Sequence, residues 1–325
     1  MLRRIVVSIL LLTVLANAST ISGSACTIFT WSNDEMILVG NNEDWQHNNF
    51  SIVFYPEDSF GYGHVAFVGT GNYLDIRAGM NTIGVFIDAT SVRPSNVSID
   101  PEKSFLHRNF FKYILRTCES VNETIELFQQ YNIAETWDWQ VLIADSFGDS
   151  VVIVAGPDET VWFVRGAESY QLITNGNIAY PELGESDSSA LRYYLANQAL
   201  YEMGNNITVS NARDALNAAH SDYTAFSSVY DLIQRDIYVY FNHDYSRVIQ
   251  FNLDEELTKG AHEFEIRSLF EDIPTTNSPT EVTTSSSTTN GYLDAISILT
   301  IGASISLVVC VTGMVIFSLQ RKKSL

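Results

Sequence analysis

Cysteine is scarce in this sequence, with only Cys26, Cys118 and Cys310 among 325 residues. Three thiols cannot supply the several bridges that hold small secreted domains together, so a disulfide framework is excluded. Basic side chains are also few, with 18 lysines and arginines against 38 aspartates and glutamates, and the net charge is −20. Because so acidic a chain repels phosphates, we expect no nucleic acid and no anionic lipid surface as a partner.

The motifs of metal and cofactor enzymes are missing as well. The six histidines form no HExxH or HxxxH pair, and no CxxC occurs, so the spacing argues against a metal site. There is no GxGxxG or GxxxxGK[ST] loop for a nucleotide and no GxSxG turn for a serine nucleophile. We therefore expect no metal and no cofactor.

Both ends of the chain carry apolar runs. Residues 1–18 have two early arginines, an apolar stretch and a final "ANA", which predicts a secretory signal peptide. Residues 292–319 are long and apolar enough for a single transmembrane helix, and the basic tail 320–325 predicts a cytoplasmic end. The sequence therefore predicts a single-pass protein of the cell membrane with its main domain outside the cell.

The segment before the apolar C-terminal run has the composition of a stalk. Residues 273–291 include "PTTNSPTEVTTSSSTTNG", which is rich in serine and threonine and has no apolar periodicity. What remains, 26–272, is large but acceptable as one domain. Four N-glycosylation motifs fit an extracellular surface, and they begin at Asn49, Asn96, Asn122 and Asn206.

The solitary Cys26 stands at the start of a predicted hairpin. "CTIFTW" and "MILVGN" are β-type runs separated by four polar residues. A loop of four residues pairs Trp31 with Met36 and, at the far end, Cys26 with Asn41. We therefore expect Asn41 to face Cys26, with Asp44 just beyond.

The order of predicted elements along 26–272 is strands, helices, strands, helices, strands. Ser120 and Glu123 form a capping box for one helix, and another helix is predicted at about 188–202. This order indicates an α+β fold in which two sheets carry helices on their outer faces.

Cys26 is the candidate for chemistry. A thiol becomes a nucleophile when a neighbouring group takes its proton. If the chain is cut before Cys26, the free α-amine, with a pKa of ordinarily about 8, is such a group. The cut follows Ala25 directly, or a signal cut after Ala18 leaves 19–25 as a propeptide. A lipid-modified cysteine and a buried structural thiol are the alternatives, although Gly23 stands where a lipidation site has a leucine-like residue.

Several motifs in order resemble one known group of enzymes. "CTIF…GNNEDW", "GMNTIG", "WQVLIADSFGDSVVIV", "LITNGN" and "SSALRYY" are similar to the N-terminal-nucleophile hydrolases that cleave linear amides. That group includes choloylglycine hydrolase, penicillin V acylase and isopenicillin-N acyltransferase-like enzymes. The resemblance covers nearly all of the domain and implies a four-layer αββα sandwich of two antiparallel sheets.

The resemblance also implies roles for single residues. Cys26 matches the nucleophile and N-terminal base, and Asp44 matches the aspartate that holds them. Asn175 matches the asparagine that donates to the oxyanion, and Arg192 matches the arginine that steadies the aspartate and cysteine. Each residue by itself also fits a structural role in a turn or a helix.

Two further asparagines are candidate substrate-binding residues by resemblance. Asn81, in "GMN", matches a recurrent asparagine. Asn41 stands where bile-salt and penicillin V hydrolases have arginine, so those substrates are not implied. The asparagine that those enzymes carry after "GMN" has no clear counterpart here, since the segment 88–91 reads "DATS".

These observations predict an extracellular, membrane-anchored amidohydrolase that cleaves the C–N bond of a small N-acyl amide through an acyl-enzyme. An acyltransferase that moves the acyl group to an amine is the first alternative. A non-catalytic surface-binding protein on the same scaffold is the second. The acyl group, the amine and the oligomeric state are not specified by the sequence.

Overall fold

A computed structural model describes most of the predicted catalytic domain. The described residues are 26–33, 35–45, 49–69, 76–166, 169–180 and 187–271. The predicted signal peptide 1–18, propeptide 19–25, stalk 273–291, membrane helix 292–319 and tail 320–325 lie outside them. Within the described ranges, no helix has the length and apolar character needed to cross a bilayer.

Fourteen strands and six helices occur within the described residues. The strands are β1 (Thr27–Ser32), β2 (Ile37–Asp44), β3 (Phe50–Tyr55), β4 (His64–Gly69), β5 (Ile76–Asn81), β6 (Phe86–Asn96), β7 (Thr136–Ala144), β8 (Ser150–Ala155), β9 (Val161–Arg165), β10 (Tyr170–Ile173), β11 (Thr224–Asp231), β12 (Asp236–Phe241), β13 (Asp244–Asn252) and β14 (His262–Glu265). The helices are α1 (Phe110–Thr117), α2 (Val121–Gln130), α3 (Asp187–Met203), α4 (Val209–Ala218), α5 (Leu253–Leu257) and α6 (Ile266–Phe270).

The strands form two antiparallel sheets. The first has the order β10-β1-β2-β11-β12-β13, and the second has the order β14-β3-β4-β5-β6-β7-β8-β9. An apolar core separates the sheets and includes Ile28, Val39 and Phe67. Side chains of α1 and α2 pack on the outer face of the second sheet, and those of α3 and α4 pack on the outer face of the first. The predicted pair of antiparallel sheets with helices outside them is therefore confirmed.

Local sequence sets the start of α2. The Ser120 hydroxyl accepts a hydrogen bond from the Glu123 N–H at 3.3 Å, as the capping box predicts. The Glu123 carboxylate reaches back to the Glu119 N–H at 2.7 Å. The helix therefore begins at the residue that the motif indicates.

The register of the first hairpin differs from the prediction. Trp31 pairs with Leu38, not with Met36, and Ile28 pairs with Asn41. The loop begins one residue later than predicted because the Asn33 side chain accepts the Met36 N–H at 2.8 Å, which leaves Ser32 in the strand. This two-residue shift keeps every side chain on its predicted face but moves Asn41 away from Cys26.

Candidate active site

Cys26 lies immediately before β1, with its side chain between the two sheets. The residue is 1% exposed and belongs to the inter-sheet core. Continuing the β1–β2 register places Glu43 opposite Cys26, and the Cys26 Sγ donates to Glu43 Oε2 at 3.4 Å. The nearest acidic neighbour of the thiol is therefore Glu43, which the sequence analysis did not single out.

Asp44 closes β2 on the other face of the first sheet. Its carboxylate accepts a hydrogen bond from the Thr224 hydroxyl, and Oδ2 lies 3.4 Å from the Arg192 Nη1. Both members of this ion pair are buried, with side chains 0% and 4% exposed. Adjacent residues of a strand point to opposite faces, so Glu43 and Asp44 approach Cys26 from opposite sides of the sheet.

Arg192 joins the predicted site residues into one network. It projects from α3, and its Nη1 donates to the Cys26 carbonyl at 2.8 Å and to the Thr27 hydroxyl at 3.1 Å. Its Nη2 donates to the Asn175 Oδ1 at 2.9 Å. One guanidinium therefore contacts the other three candidate catalytic residues.

Arg192 is far from two of these residues along the chain. It lies 166 positions after Cys26 and 148 after Asp44, but only 17 after Asn175. The fold of the first sheet brings these distant residues together. Strands β1 and β2 pair with each other, and α3 packs on the outer face of that sheet. The fold therefore assembles four residues that the sequence had related only by resemblance.

Asn175 follows the end of β10, where two sets of hydrogen bonds fix its position. Its Nδ2 donates to the Ser91 carbonyl at 2.9 Å and lies 3.3 Å from the Ser91 hydroxyl. Its backbone N–H donates to the Ser189 hydroxyl at 3.0 Å. The Gln140 side chain donates to the carbonyls on either side of Asn175, those of Thr174 at 2.5 Å and Gly176 at 2.8 Å.

Burial dominates the electrostatics of the site. It raises the pKa of the Cys26 thiol well above its ordinary value, and the charges of Glu43, Asp88 and Asp44 raise it further. Burial also raises the pKa of Asp44 to about 6, against the Thr224 hydrogen bond and the Arg192 charge, which lower it. The thiol is therefore the resting form of Cys26, and the residue needs a base before it can attack a carbonyl.

The two candidate substrate-binding asparagines have different surroundings. Asn41 is fully buried in β2, paired with Ile28 and Ser228. Neither atom of its side-chain amide has a hydrogen-bond partner among the described residues. Its strand position places its side chain on the same face as that of Glu43.

Asn81, in contrast, holds the turn between β5 and β6. Its Oδ1 accepts the N–H groups of Ile83 and Val85 at 3.1 and 2.9 Å, and its Nδ2 donates to the Cys118 carbonyl at 2.9 Å. These hydrogen bonds commit the side chain to the turn. The structure does not bring Asn81 together with Cys26, Asp44, Asn175 and Arg192.

A cavity of about 260 Å³ adjoins the site. Glu43 lines it, and so does Ser91, the hydrogen-bond partner of Asn175. Trp45 and Arg77 also line the cavity, and the Arg77 guanidinium lies 4.4 Å from the centre of the Trp45 ring. The other lining residues are Ile76, Ala89, Thr90, Phe111 and Trp139. Within the described ranges, no group of three or more His, Cys, Asp or Glu side chains is arranged to hold a metal ion.

Three residues at the site were not predicted from the sequence, namely Glu43, Ser91 and Gln140. Glu43 could have been found with the correct hairpin register, because the alternation of a strand puts it on the face of Cys26. Ser91 and Gln140 act through long-range hydrogen bonds, for which the sequence carried no local signal.

Comparisons with known proteins place these features in context. A family model described as acyl-coenzyme A:6-aminopenicillanic acid acyl-transferase matches residues 31–244, more than half of the chain. The match begins after Cys26 and includes Asp44, Asn175 and Arg192. A search of curated proteins finds no significant match.

Solved structures share the fold at low sequence identity. Penicillin V acylase from Agrobacterium tumefaciens is 15% identical, with a TM-score of 0.56 over 71% of this chain and 87% of that one. A variant of conjugated bile acid hydrolase from Clostridium perfringens is 15% identical, with a TM-score of 0.57 over 74% of this chain and 96% of that one. A second variant of that hydrolase is 16% identical with the same TM-score and coverage.

Proposed function

Because this chain belongs to the acyl-coenzyme A:6-aminopenicillanic acid acyl-transferase family, within the N-terminal-nucleophile hydrolase group that its motifs resemble, we propose that it hydrolyses linear amides through Cys26. The observation that carries the proposal is the Arg192 network. Arg192 contacts Cys26 and Asn175 by hydrogen bonds of 2.8 and 2.9 Å and pairs with Asp44 at 3.4 Å.

The α-amine of a chain cut before Cys26 is the base in this proposal. Asp44 Oδ2 is buried and accepts no hydrogen bond from the described residues. It lies next to Arg192, which also holds the Cys26 carbonyl. An N–H of the neutral α-amine at Cys26 supplies the missing donor, so Asp44 orients the amine and leaves its lone pair free to accept the thiol proton.

The reaction proceeds through a thioester. The Cys26 thiol gives its proton to the α-amine, and Sγ attacks the amide carbonyl, whose oxygen takes the negative charge. The Nδ2 of Asn175 donates to that oxygen in place of its 3.3 Å contact with the Ser91 hydroxyl, a kind of contribution typically worth about 3 kcal/mol. The C–N bond then breaks, the leaving amine takes the proton, and water activated by the same α-amine releases the acid.

An acyltransferase is the second candidate, and the description of the matched family favours it. The same acyl-enzyme then reacts with an amine in place of water. The two activities share every catalytic residue, so they differ only in the acceptor that reaches the thioester. The four-residue network weighs against a purely surface-binding role, because such a role does not require a buried ion pair beside a buried thiol.

The proposal extends to the location of the enzyme. The sequence of 1–18 and of 292–319 supports secretion and a single membrane anchor, which place the catalytic domain outside the cell. Protease treatment of intact cells that express the chain tests this: digestion of the domain is expected, and protection of the domain contradicts an external location.

The experiment on function uses purified full chain with a panel of N-acyl amino acids. We expect release of the free amino acid, loss of that release in Cys26→Ala, and formation of a new amide when a primary amine is added if transfer occurs. Hydrolysis that persists in Cys26→Ala contradicts the proposal. Exclusive transfer without hydrolysis assigns the chain to the second candidate.

A further inference from the structure

A bulge in β11 decides which side chain lies opposite Asp44. The ladder between β11 and β2 pairs Phe226 with Glu43. Its next pair is Thr224 with Asp44, so Ala225 is an extra residue on the β11 side. Bulges of this kind re-aim the side chains of the strand that carries them. A regular strand would place Ala225 opposite Asp44 and would offer the carboxylate no side-chain donor.

The core contacts of β11 show the same change of face. Ala225 and Phe226 both pack in the apolar core between the sheets, although adjacent residues of a regular strand point to opposite faces. Thr224 is consequently turned to the other face, where Asp44 closes β2. It is 2% exposed, and its hydroxyl donates to Asp44 Oδ1. The bulge therefore brings a donor to the carboxylate.

A tight turn before β11 fixes the direction of the Thr224 hydroxyl. Its Oγ1 accepts the Ser221 N–H at 2.9 Å, and the Thr224 N–H donates to the Ser221 carbonyl at 3.0 Å. Because an ionised carboxylate can only accept, the single hydroxyl proton of Thr224 points to Asp44. The Trp45 N–H donates to the Tyr223 carbonyl at 2.8 Å. The turn therefore holds both the Asp44 side chain and the backbone that follows it.

The two oxygens of the Asp44 carboxylate thereby have separate partners. Oδ1 accepts the Thr224 hydroxyl, and Oδ2 lies 3.4 Å from the Arg192 Nη1. In the proposed function, Oδ2 is also the oxygen that contacts the α-amine of Cys26. Anchoring one oxygen fixes the plane of a carboxylate, so Thr224 sets the direction in which Oδ2 points.

Thr224 also keeps Asp44 ionised. Burial raises the pKa of Asp44 to about 6, and the Thr224 hydrogen bond opposes this effect more strongly than the Arg192 charge does. Loss of the Thr224 hydroxyl therefore raises the pKa of Asp44 further. A neutral carboxyl group at this place accepts hydrogen bonds less strongly than a carboxylate does.

Several other groups around Asp44 affect its charge or respond to it. The Ser221 hydroxyl lowers its pKa, although less than Thr224 and Arg192 do. Among the described residues, the titratable or charged groups on the neighbouring elements are Arg192 of α3, His220 after α4, Tyr245 of β13 and Cys26 before β1.

We propose that Thr224, turned by the bulge at Ala225, is a positioning residue that aims the Asp44 carboxylate at the α-amine of Cys26. This inference rests on the proposed function. Thr224 acts through Asp44 on the helix-covered face of the sheet, away from the cavity beside the thiol. Its loss therefore slows the chemical step and leaves substrate binding unchanged.

Carbon-13 NMR of the full chain, labelled at the side-chain carboxyl carbons of aspartate, measures the link directly. The Asp44 signal is assigned by its absence from Asp44→Asn. We expect this signal to titrate about one pH unit or more higher in Thr224→Val than in the parent chain, the effect of a lost hydrogen bond to a charged group. Thr224→Ser, which keeps a hydroxyl, should titrate with the parent. An Asp44 titration that Thr224→Val leaves unchanged overturns the proposal.

Steady-state kinetics near pH 7, with the N-acyl amino acid that the parent chain hydrolyses best, measures the effect on catalysis. Thr224→Val should lower kcat roughly tenfold to a hundredfold with little change in KM, and Thr224→Ser should recover most of this loss. The loss should shrink as the pH rises, because Asp44 without the Thr224 hydroxyl is ionised only at higher pH. A loss confined to KM, or one that Thr224→Ser does not recover, overturns the proposal.

Thr124→Val is the matched control. Thr124 is also a buried threonine, and its hydroxyl donates to the Ser120 carbonyl at 3.1 Å in α2. This variant should keep both the parent kcat and the Asp44 titration, and a loss equal to that of Thr224→Val overturns the proposal. Thr224→Ala removes the same hydroxyl without adding a methyl group, and it takes the place of Thr224→Val if that variant does not fold.

The carboxyl titration requires no turnover, so the two measurements separate this proposal from the proposed function. A shifted Asp44 titration in a chain that hydrolyses none of the N-acyl amino acids supports the Thr224–Asp44 link and contradicts the hydrolase. Hydrolysis that Thr224→Val leaves at the parent rate supports the hydrolase and overturns the positioning role of Thr224.

Discussion

Replacing Arg192 with methionine should destabilise the fold strongly and in a pH-dependent way. The side chain makes hydrogen bonds to Cys26, Thr27 and Asn175 and an ion pair with Asp44. Methionine fills much of the same volume but leaves the Asp44 carboxylate buried without its cation. Removal of one partner of a buried ion pair typically costs about 3–5 kcal/mol, which corresponds to a fall in Tm on the order of 10 °C for a domain of this size.

The pH dependence follows from the raised pKa of Asp44. Burial raises that pKa to about 6 in the folded protein, above its value of about 3.9 in an unfolded chain. The folded state therefore binds the proton more tightly, and protonation as the pH falls through 6 stabilises the fold. Loss of the Arg192 charge, which holds the pKa down, moves the pKa of Asp44 higher still. The penalty of Arg192→Met should consequently be largest above about pH 7 and should shrink toward pH 5.

Urea unfolding of the full chain at these two pH values measures the effect. Arg213→Met is the control, because Arg213 and its ion-pair partner Asp214 are 30% and 45% exposed, and such pairs contribute at most about 1 kcal/mol. A penalty for Arg192→Met no larger than that of the control, or one that stays constant with pH, would refute the role assigned to the Arg192–Asp44 pair.

Three further predictions concern single residues. Asn175→Ala should lower kcat by roughly 10²–10³ with little change in KM, and steady-state kinetics in which KM alone changes would contradict an oxyanion role. Asn81→Ala should lower the free energy of unfolding by about 1–3 kcal/mol while kcat/KM of the folded enzyme stays unchanged, since its hydrogen bonds hold a turn. Glu43→Gln should speed alkylation of Cys26 by iodoacetamide near pH 8, because one charge that raises the thiol pKa is removed. Mass spectrometry of the peptides measures the alkylation rate, and Cys118 is the internal control whose rate should not change.

The parts of the fold that depend on local pattern were predictable from sequence. The capping residues Ser120 and Glu123 lie where the motif indicates, and the apolar runs around Cys26 form the expected hairpin. The predicted register of that hairpin was wrong by two residues because hydrogen bonds of Asn33 set where the loop begins. Its side chain accepts the Met36 N–H, and its backbone N–H donates to the Met36 carbonyl.

The residues of the site could be predicted only where the types of residue and their order along the chain resemble those of a known family. Resemblance selected Asp44, Asn175 and Arg192, and the fold brings them together. Resemblance also selected Asn81, which belongs to a turn. Glu43 was missed because its importance lies in a cross-strand contact with Cys26, and contacts of this kind depend on the register that a sequence specifies weakly.

The mass of the mature N-terminus tests the central claim most directly. Cells that express the chain should yield a processed protein whose first residue is Cys26 with an unmodified α-amine, and this form should carry the amidase activity. Exposure to substrate followed by rapid acid quenching should add the mass of one acyl group to the N-terminal peptide. An active protein that begins upstream of Cys26, or whose Cys26 amine carries a lipid, would contradict the account, since the base that Cys26 needs would be absent.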